Sequence, residues 1–308
     1  MTQEQYLKNL EVPAGRVDVV LDTDAFNEID DQFAISYLLS SRDRLNIKGI
    51  CAAPFLNRRV GSAAEGMEKS YAEIQKLLRL AGETALLDRV YRGSDRFLSD
   101  EVTPVRSDAA AFMARLSRQY SPDQPLYIVA LGAITNVASA ILMEPQMREN
   151  CVIVWLGGHD IHFPMGASEF NMRQDIAAAR VVMGSGVPFV QLPCRGVVDR
   201  FLTSKQELAH WLKGENALCD YLYESTVAEA ESYAAGKPWT RVIWDVTAVA
   251  WLLNDNERFM RCRTERCPVP MYDQQYAPTR YDHAIGYVYY VDRDALFDDL
   301  FRKLGGDR

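Results

Sequence analysis

Residues 17–39 read VDVVLDTDAFNEIDDQFAISYLL. The opening is short, apolar and β-branched, as a buried strand requires, and helical spacing takes over from Asp31 to Leu39. Five carboxylates, Asp22, Asp24, Glu28, Asp30 and Asp31, crowd the junction between them. Strand side chains alternate, so Asp22 and Asp24 are expected on one side while Asp30 and Asp31 approach from the first helical turn. Two like charges about 4 Å apart repel by roughly 4 kcal/mol at an effective dielectric of 20. Converging carboxylates therefore call for a cation. An all-oxygen donor set without neighbouring His or Cys favours Ca²⁺ or Mg²⁺ over zinc. Acids also suit a helix N-terminus, but that accounts for neither Asp22 nor Asp24.

Outward from this junction the same alternation recurs. Apolar runs at IKGICAA from Ile47, LYIVALG from Leu126, CVIVWLGG from Cys151 and VPFVQLP from Val187 read as strands. Helical spacing covers Ala63 to Leu80, Ala109 to Arg118, Thr135 to Met143 and Gln174 to Gly184. Continuous apolar strands alternating with helices belong to an α/β fold with an open, mostly parallel sheet flanked by helices. After Cys194 the pattern turns mostly helical, over Ser204 to Leu212, Glu215 to Ser232 and Val242 to Leu253, before a terminal YVYYVDRDALFDDLFRKL. No linker or repeat interrupts the chain, so one domain over residues 1–308 is expected, with 1–15 as an N-terminal extension and a helical second half. In such sheets ligands lie beyond the carboxyl ends of the strands. The stretches to inspect are Asp22–Asp31, Ala53–Asn57, Gly132–Asn136 and Gly157–Asn171.

Composition narrows the function classes. Hydrophobic residues make up 48% and charged residues 25% of the chain, which excludes disordered, collagen-like and coiled-coil proteins. No apolar run reaches the roughly 18 residues of a membrane span, and MTQEQYLKNLEVPAG lacks a basic start ahead of an apolar stretch. Neither a membrane partner nor secretion is expected. The net charge of −8, with no basic cluster to offset it, argues against nucleic acid and for a small-molecule substrate. The six cysteines, at 51, 151, 194, 219, 262 and 267, form no CxxC pair. They are expected to be reduced structural thiols in a cytoplasmic protein, with only Cys262 and Cys267 in a polar stretch.

A strand ending in DTD, a five-residue spacer AFNEI, and DD opening an apolar helix resemble the metal-binding start of the inosine-uridine preferring nucleoside hydrolase family in a DTD-x5-DD form. Further stretches match in order: APFLN ending at Asn57, LGAITN at Leu131–Asn136, ASEFNMRQD at Ala167–Asp175 and VIWDVTAVAWLL at Val242–Leu253. The resemblance implies a nucleoside hydrolase-like fold and a calcium-dependent N-ribohydrolase that splits a ribonucleoside into ribose and free base. It implies Asp24, Asp31, Asp245 and the Thr135 carbonyl as Ca²⁺ ligands, and Asp24 as the base activating a metal-bound water. Asp30, Asn57, Glu169, Asn171 and again Asp245 would bind the ribose. Relatives form dimers or tetramers, so a homo-oligomer is expected.

Two positions depart from the family's pattern. Trp244 stands before the late aspartate, where a histidine that protonates the leaving base is common, and Phe163 stands six residues before Glu169, where an asparagine is common. The aromatic face of Trp244 could stack on a base. His159 and His162, in GGHDIHFPMG, titrate in the useful range and are the substitute leaving-group contacts; His283 is a weaker candidate and His210 a solvated helix residue. Two rival readings remain open. One is a catalytically impaired nucleoside- or sugar-binding protein on the same scaffold. The other is a haloacid-dehalogenase-like phosphohydrolase, which also starts with strand-DxD but continues to Gly and Thr or Val rather than AFNEIDD. The sequence does not identify the base.

Overall fold

Each of the apolar runs becomes a strand. The computed structural model describes residues 1–306. Its strands are β1 (Val17–Thr23), β2 (Leu45–Ala52), β3 (Val90–Tyr91), β4 (Leu126–Ala130), β5 (Cys151–Leu156), β6 (Phe189–Leu192), β7 (Leu202–Thr203), β8 (Arg241–Val242), β9 (Met260–Pro270) and β10 (Tyr276–Val291). Its α-helices are α1 (Gln3–Lys8), α2 (Asp30–Leu39), α3 (Ala63–Leu80), α4 (Asp108–Ser117), α5 (Thr135–Met143), α6 (Met147–Asn150), α7 (Phe170–Gln174), α8 (Ile176–Gly184), α9 (Lys205–Trp211), α10 (Ala217–Ala234), α11 (Val246–Trp251) and α12 (Arg293–Gly305).

Eight strands form one open sheet in the order β3-β2-β1-β4-β5-β6-β10-β9. All neighbours are parallel except β9, which runs antiparallel to β10. The sheet is sandwiched between two helical layers, and the alternation along β1 shows how. Val19 and Leu21 pack into one core with α2 and α11, whereas Val20 packs into the other with α4, α5 and α8. The mostly parallel α/β architecture is thus as the sequence pattern indicates. Strand order reverses between β1 and β4, and a crevice opens at their carboxyl ends.

Three local differences from the sequence pattern have physical causes. The helical run Gln174–Gly184 breaks at Asp175, whose side chain caps α8 by accepting from Ala178 N at 2.9 Å. The late helix begins only at Val246, with Asp245 at its N-cap position. Between the late helices lies a long hairpin, β9–β10, that the pattern does not show. Edge strand β9 carries Pro268 and Pro270 and a run of exposed or half-buried charges, the features that keep an edge from pairing further and that also hide the alternation. All six cysteines are free thiols, with Cys262 half-buried and the rest buried. Among the described residues no helix is long and apolar enough to cross a membrane.

Candidate active site

The strand β1 stops at Thr23, and its alternation sends successive residues to opposite layers. Thr23 follows Val19 and Leu21, and its hydroxyl donates to Asp31 at the head of α2. Asp22 follows Val20 into the other layer, where Asn136 Nδ2 of α5 donates to it at 2.8 Å. Its carboxyl, fully buried, is pushed up to about 7 by burial. Asp24 lies beyond the strand end, so alternation no longer ties it to Asp22. The chain turns there, with Asn27 N donating to Asp24 O at 2.7 Å, and the Asp24 side chain enters the crevice. The expectation that Asp22 and Asp24 share one side fails for this reason.

A cavity of about 360 Å³ opens at this point, within the range of small-molecule sites. Asp24, Glu28, Asp30, Asp31 and Asp245 line it, and one oxygen each from Asp30, Asp31 and Asp245 lie within 4.8 Å of one another. Asp24, Asp30, Asp31 and Asp245 are all buried. Asp24 can sit so deep because Gly132, after β4, faces it: a Cβ there would come within 2.8 Å of the Asp24 carboxyl. Burial first, and then each other's charge, raise the affinity of these carboxyls for protons. Asp24 is raised by burial, Asp31 and Asp30, and Asp245 by burial, Asp30, Asp31 and Asp24. Burial and Glu28 raise Asp30 against the pull of Arg241. Asp31 reaches about 6, held back by its bonds from Thr23 and Asp245. Arg241 on β8 pairs with Glu28 at 2.5 Å and stands 3.6 Å from Glu229. Asp24 Oδ2 is buried without any hydrogen-bond partner.

The second wall comes from the loop after β5. Glu169 caps α7, accepting from Asn171 N at 2.8 Å and from Met172 N and Gly158 N at 2.9 Å. Gly158 meets this with φ of +77°, a left-handed conformation suited to glycine. Asn171 Nδ2 donates to the carbonyls of Leu131 and Leu156 at 2.6 and 3.0 Å, leaving its amide oxygen for a ligand. Both residues line the cavity. So do Trp244 and His159. His159 Nδ1 accepts from Arg195 N at 3.3 Å, and its ring stands edge-on to Phe163 at 5.0 Å. Burial and then the Arg195 charge depress its pKa to about 4, so the imidazole is neutral at pH 7.

Four residues singled out from sequence do not line the cavity, among them the weaker candidate His283, which lies on β10. His162 is exposed on the loop, its backbone N–H donating to Asp160. Asn57 is one residue removed, its Nδ2 donating to Asn27 Oδ1 at 2.9 Å, and Asn27 is the one at the cavity. Thr135 starts α5, and its hydroxyl donates to Asp175 at 2.7 Å. Conversely, Asn27, Ser168, Arg173, Cys194 and Arg195 line the cavity without having been singled out. Asn27 lies within the AFNEI spacer, which alone could have flagged it. Burial and the neighbouring Glu169, Asp245 and Asp30 push the Cys194 thiol up.

The geometry can be set beside known proteins. A probable ribonucleoside hydrolase of Dictyostelium discoideum is 36% identical over 84 residues, 26% of this chain and 24% of that one. The pyrimidine-specific ribonucleoside hydrolase RihB of Escherichia coli O1:K1 is 29% identical over 141 residues, covering 43% of each. The matched stretch thus spans less than half the length of either curated relative. The fold is that of a plant nucleoside hydrolase, PpNRh1, with a TM-score of 0.75 at 18% identity over 94% of this chain and 99% of that one. A purine-preferring ribonucleoside hydrolase from Gardnerella vaginalis gives 0.71 at 19% over 94% and 98%. A family model described as inosine-uridine preferring nucleoside hydrolase matches residues 19–295, so that the acids from Asp22 to Asp31, the α7 wall and Asp245 all fall inside it. The chain belongs to the inosine-uridine preferring nucleoside hydrolase family.

Proposed function

We propose that this protein is a calcium-dependent N-ribohydrolase that cleaves a ribonucleoside to ribose and free base. The observation that carries this reading is the buried carboxylate cluster on the cavity floor with the orphaned Asp24 Oδ2. A hard, all-oxygen donor set fits Ca²⁺. Asp24, Asp31 and Asp245 would hold it, with the Thr135 carbonyl that the family resemblance implies. When bound, the cation would offset the crowded charge and acidify the attacking water. Asp24 would take the proton of that water as it attacks the anomeric carbon. Asp30, Asn171 and Asn27 would orient the ribose hydroxyls, with Asn57 acting on the sugar only through Asn27. The likeness to haloacid-dehalogenase phosphohydrolases ends at the DxD itself, because Asp22 is turned into the opposite layer and bound to Asn136.

Reducing-sugar release from a panel of ribonucleosides, with Ca²⁺ and then with chelator, tests the reading. Chelator-sensitive release supports it; tight nucleoside binding without release would make this a binding protein instead.

Two further results are expected. A carboxyl whose pKa is higher folded than unfolded costs stability once the pH passes the unfolded value near 4, and the whole cost is present above the folded value. The cation-free protein should therefore melt at lower temperature at pH 8 than at pH 5. Ca²⁺ should raise the melting temperature more at pH 8 than at pH 5, measured by scanning fluorimetry. A melting temperature indifferent to Ca²⁺ at pH 8 would deny the cluster a cation.

Inosine should exceed 2′-deoxyinosine in kcat/KM by about 10-fold or more, since a buried polar group left unpaired costs about 1 to 3 kcal/mol. Equal values would remove Asp30 from the 2-hydroxyl.

A further inference from the structure

Side chains of both signs line the cavity, the aspartates on one hand and two arginines on the other. Arg173, at the last turn of α7, and Arg195, just beyond β6, both line it and are exposed. Neither guanidinium has an ion-pair partner among the described residues, whereas Arg59, Arg180 and Arg241 each hold a glutamate at 2.5 to 2.8 Å. Both share the cavity lining with His159, whose Nδ1 accepts from Arg195 N at 3.3 Å, and the charges of both arginines act on that ring. On α7 the carboxylate of Glu169 is already taken up by three backbone N–H groups. The group that α7 leaves for a ligand one turn further on is Arg173, four residues along and so on the same side.

We propose that the ribose bound here carries a phosphate at its 5-position, so that the substrate is a ribonucleoside 5′-monophosphate rather than the free nucleoside. This rests on the N-ribohydrolase reading. With the 2- and 3-hydroxyls held by Asp30 and the acid cluster, as that reading has them, the 5-carbon would be the part of the sugar left for the α7 side of the cavity. Guanidinium forks bind phosphate oxygens in pairs, and two of them match a phosphate dianion. That match answers the cost of bringing an anion into a cavity floored by aspartates, and the dianion also gives the unpaired arginines their counter-charge. His159, neutral and in the same lining, keeps its Nε2 side free to donate to a phosphate oxygen, since its Nδ1 accepts from Arg195 N.

The test compares kcat/KM for inosine 5′-monophosphate and inosine, for uridine 5′-monophosphate and uridine, and for orotidine, whose carboxylate sits on the base. Wild type with Ca²⁺ is expected to prefer each monophosphate by about 100-fold, and Arg173→Gln or Arg195→Gln to cut that preference by about 10-fold or more, the scale of a charge-assisted hydrogen bond. Equal use of nucleoside and monophosphate overturns the proposal, as does a preference that both variants leave intact. An arginine-dependent preference for orotidine over uridine, with none for the monophosphates, also overturns it by placing the anion on the base.

Calorimetric binding of ribose 5-phosphate against ribose separates this proposal from the reading beneath it, because no catalysis is needed. Tighter, arginine-dependent binding of ribose 5-phosphate in a protein that hydrolyses nothing would sustain the phosphate site and sink the hydrolase. Hydrolysis of nucleosides without such binding would do the reverse.

Discussion

Asp24→Ala and Asp24→Asn are each expected to lower kcat for ribonucleoside hydrolysis by about 1,000-fold or more. General-base catalysis alone contributes about 100- to 10,000-fold, and this carboxylate is also assigned to the cation. The asparagine variant keeps the volume and one oxygen, so its loss reports the charge and the base. The structure adds a control for misfolding. Asp24 is buried and repelled by Asp31 and Asp30, so with chelator at pH 8 the asparagine variant should melt at or above the wild-type temperature. With Ca²⁺ it should gain less than wild type does. Stopped assays on inosine and scanning fluorimetry, run on the same preparations, give both readouts. Turnover within tenfold of wild type would sink the assignment.

The second large effect concerns the leaving group. p-Nitrophenyl riboside, which departs without being protonated, is expected to exceed inosine and uridine in kcat/KM by about 100-fold or more, the lower end of what a general acid supplies. Trp244 occupies the position where an acid is common and lines the cavity without a titratable group. Among the described residues His159 is the one histidine at the cavity, and burial with the charges of Arg195 and Arg173 keeps it neutral. His162 is exposed and outside the cavity, so His162→Ala should change neither substrate. His159→Ala is expected to affect both substrates alike, as a residue that holds the loop against Phe163 would. A loss of about 100-fold on inosine with none on the nitrophenyl riboside would instead make His159 the acid. Should a bound phosphate supply the negative charge that His159 lacks, that selective loss would show only with the 5′-monophosphates.

The paired acids, the apolar strand runs and the ordered motifs were legible because they are local: a strand repeats every two residues, a helix every 3.6, and a cluster such as Asp24, Asp30 and Asp31 lies within eight positions. From them the open parallel sheet, the family and the place of the crevice follow. Contacts between distant segments were not legible, and they decide the site's fine structure. The end of β1 at Thr23, rather than at Asp24, parts Asp22 from Asp24 and gives the first to Asn136, 114 residues away. Glu28 is neutralised by Arg241 across 213 residues, and Asn57 is replaced at the cavity by Asn27, to which it is bonded. The β9–β10 hairpin escaped because its exposed edge carries charges and prolines in place of an apolar alternation. Arg173 and Arg195 look like ordinary surface cations in the sequence. Only the return of the chain through β5, α7 and β6 to one end of the sheet sets them in one cavity with the aspartates, because parallel strands bring their carboxyl ends together whatever the separation along the chain.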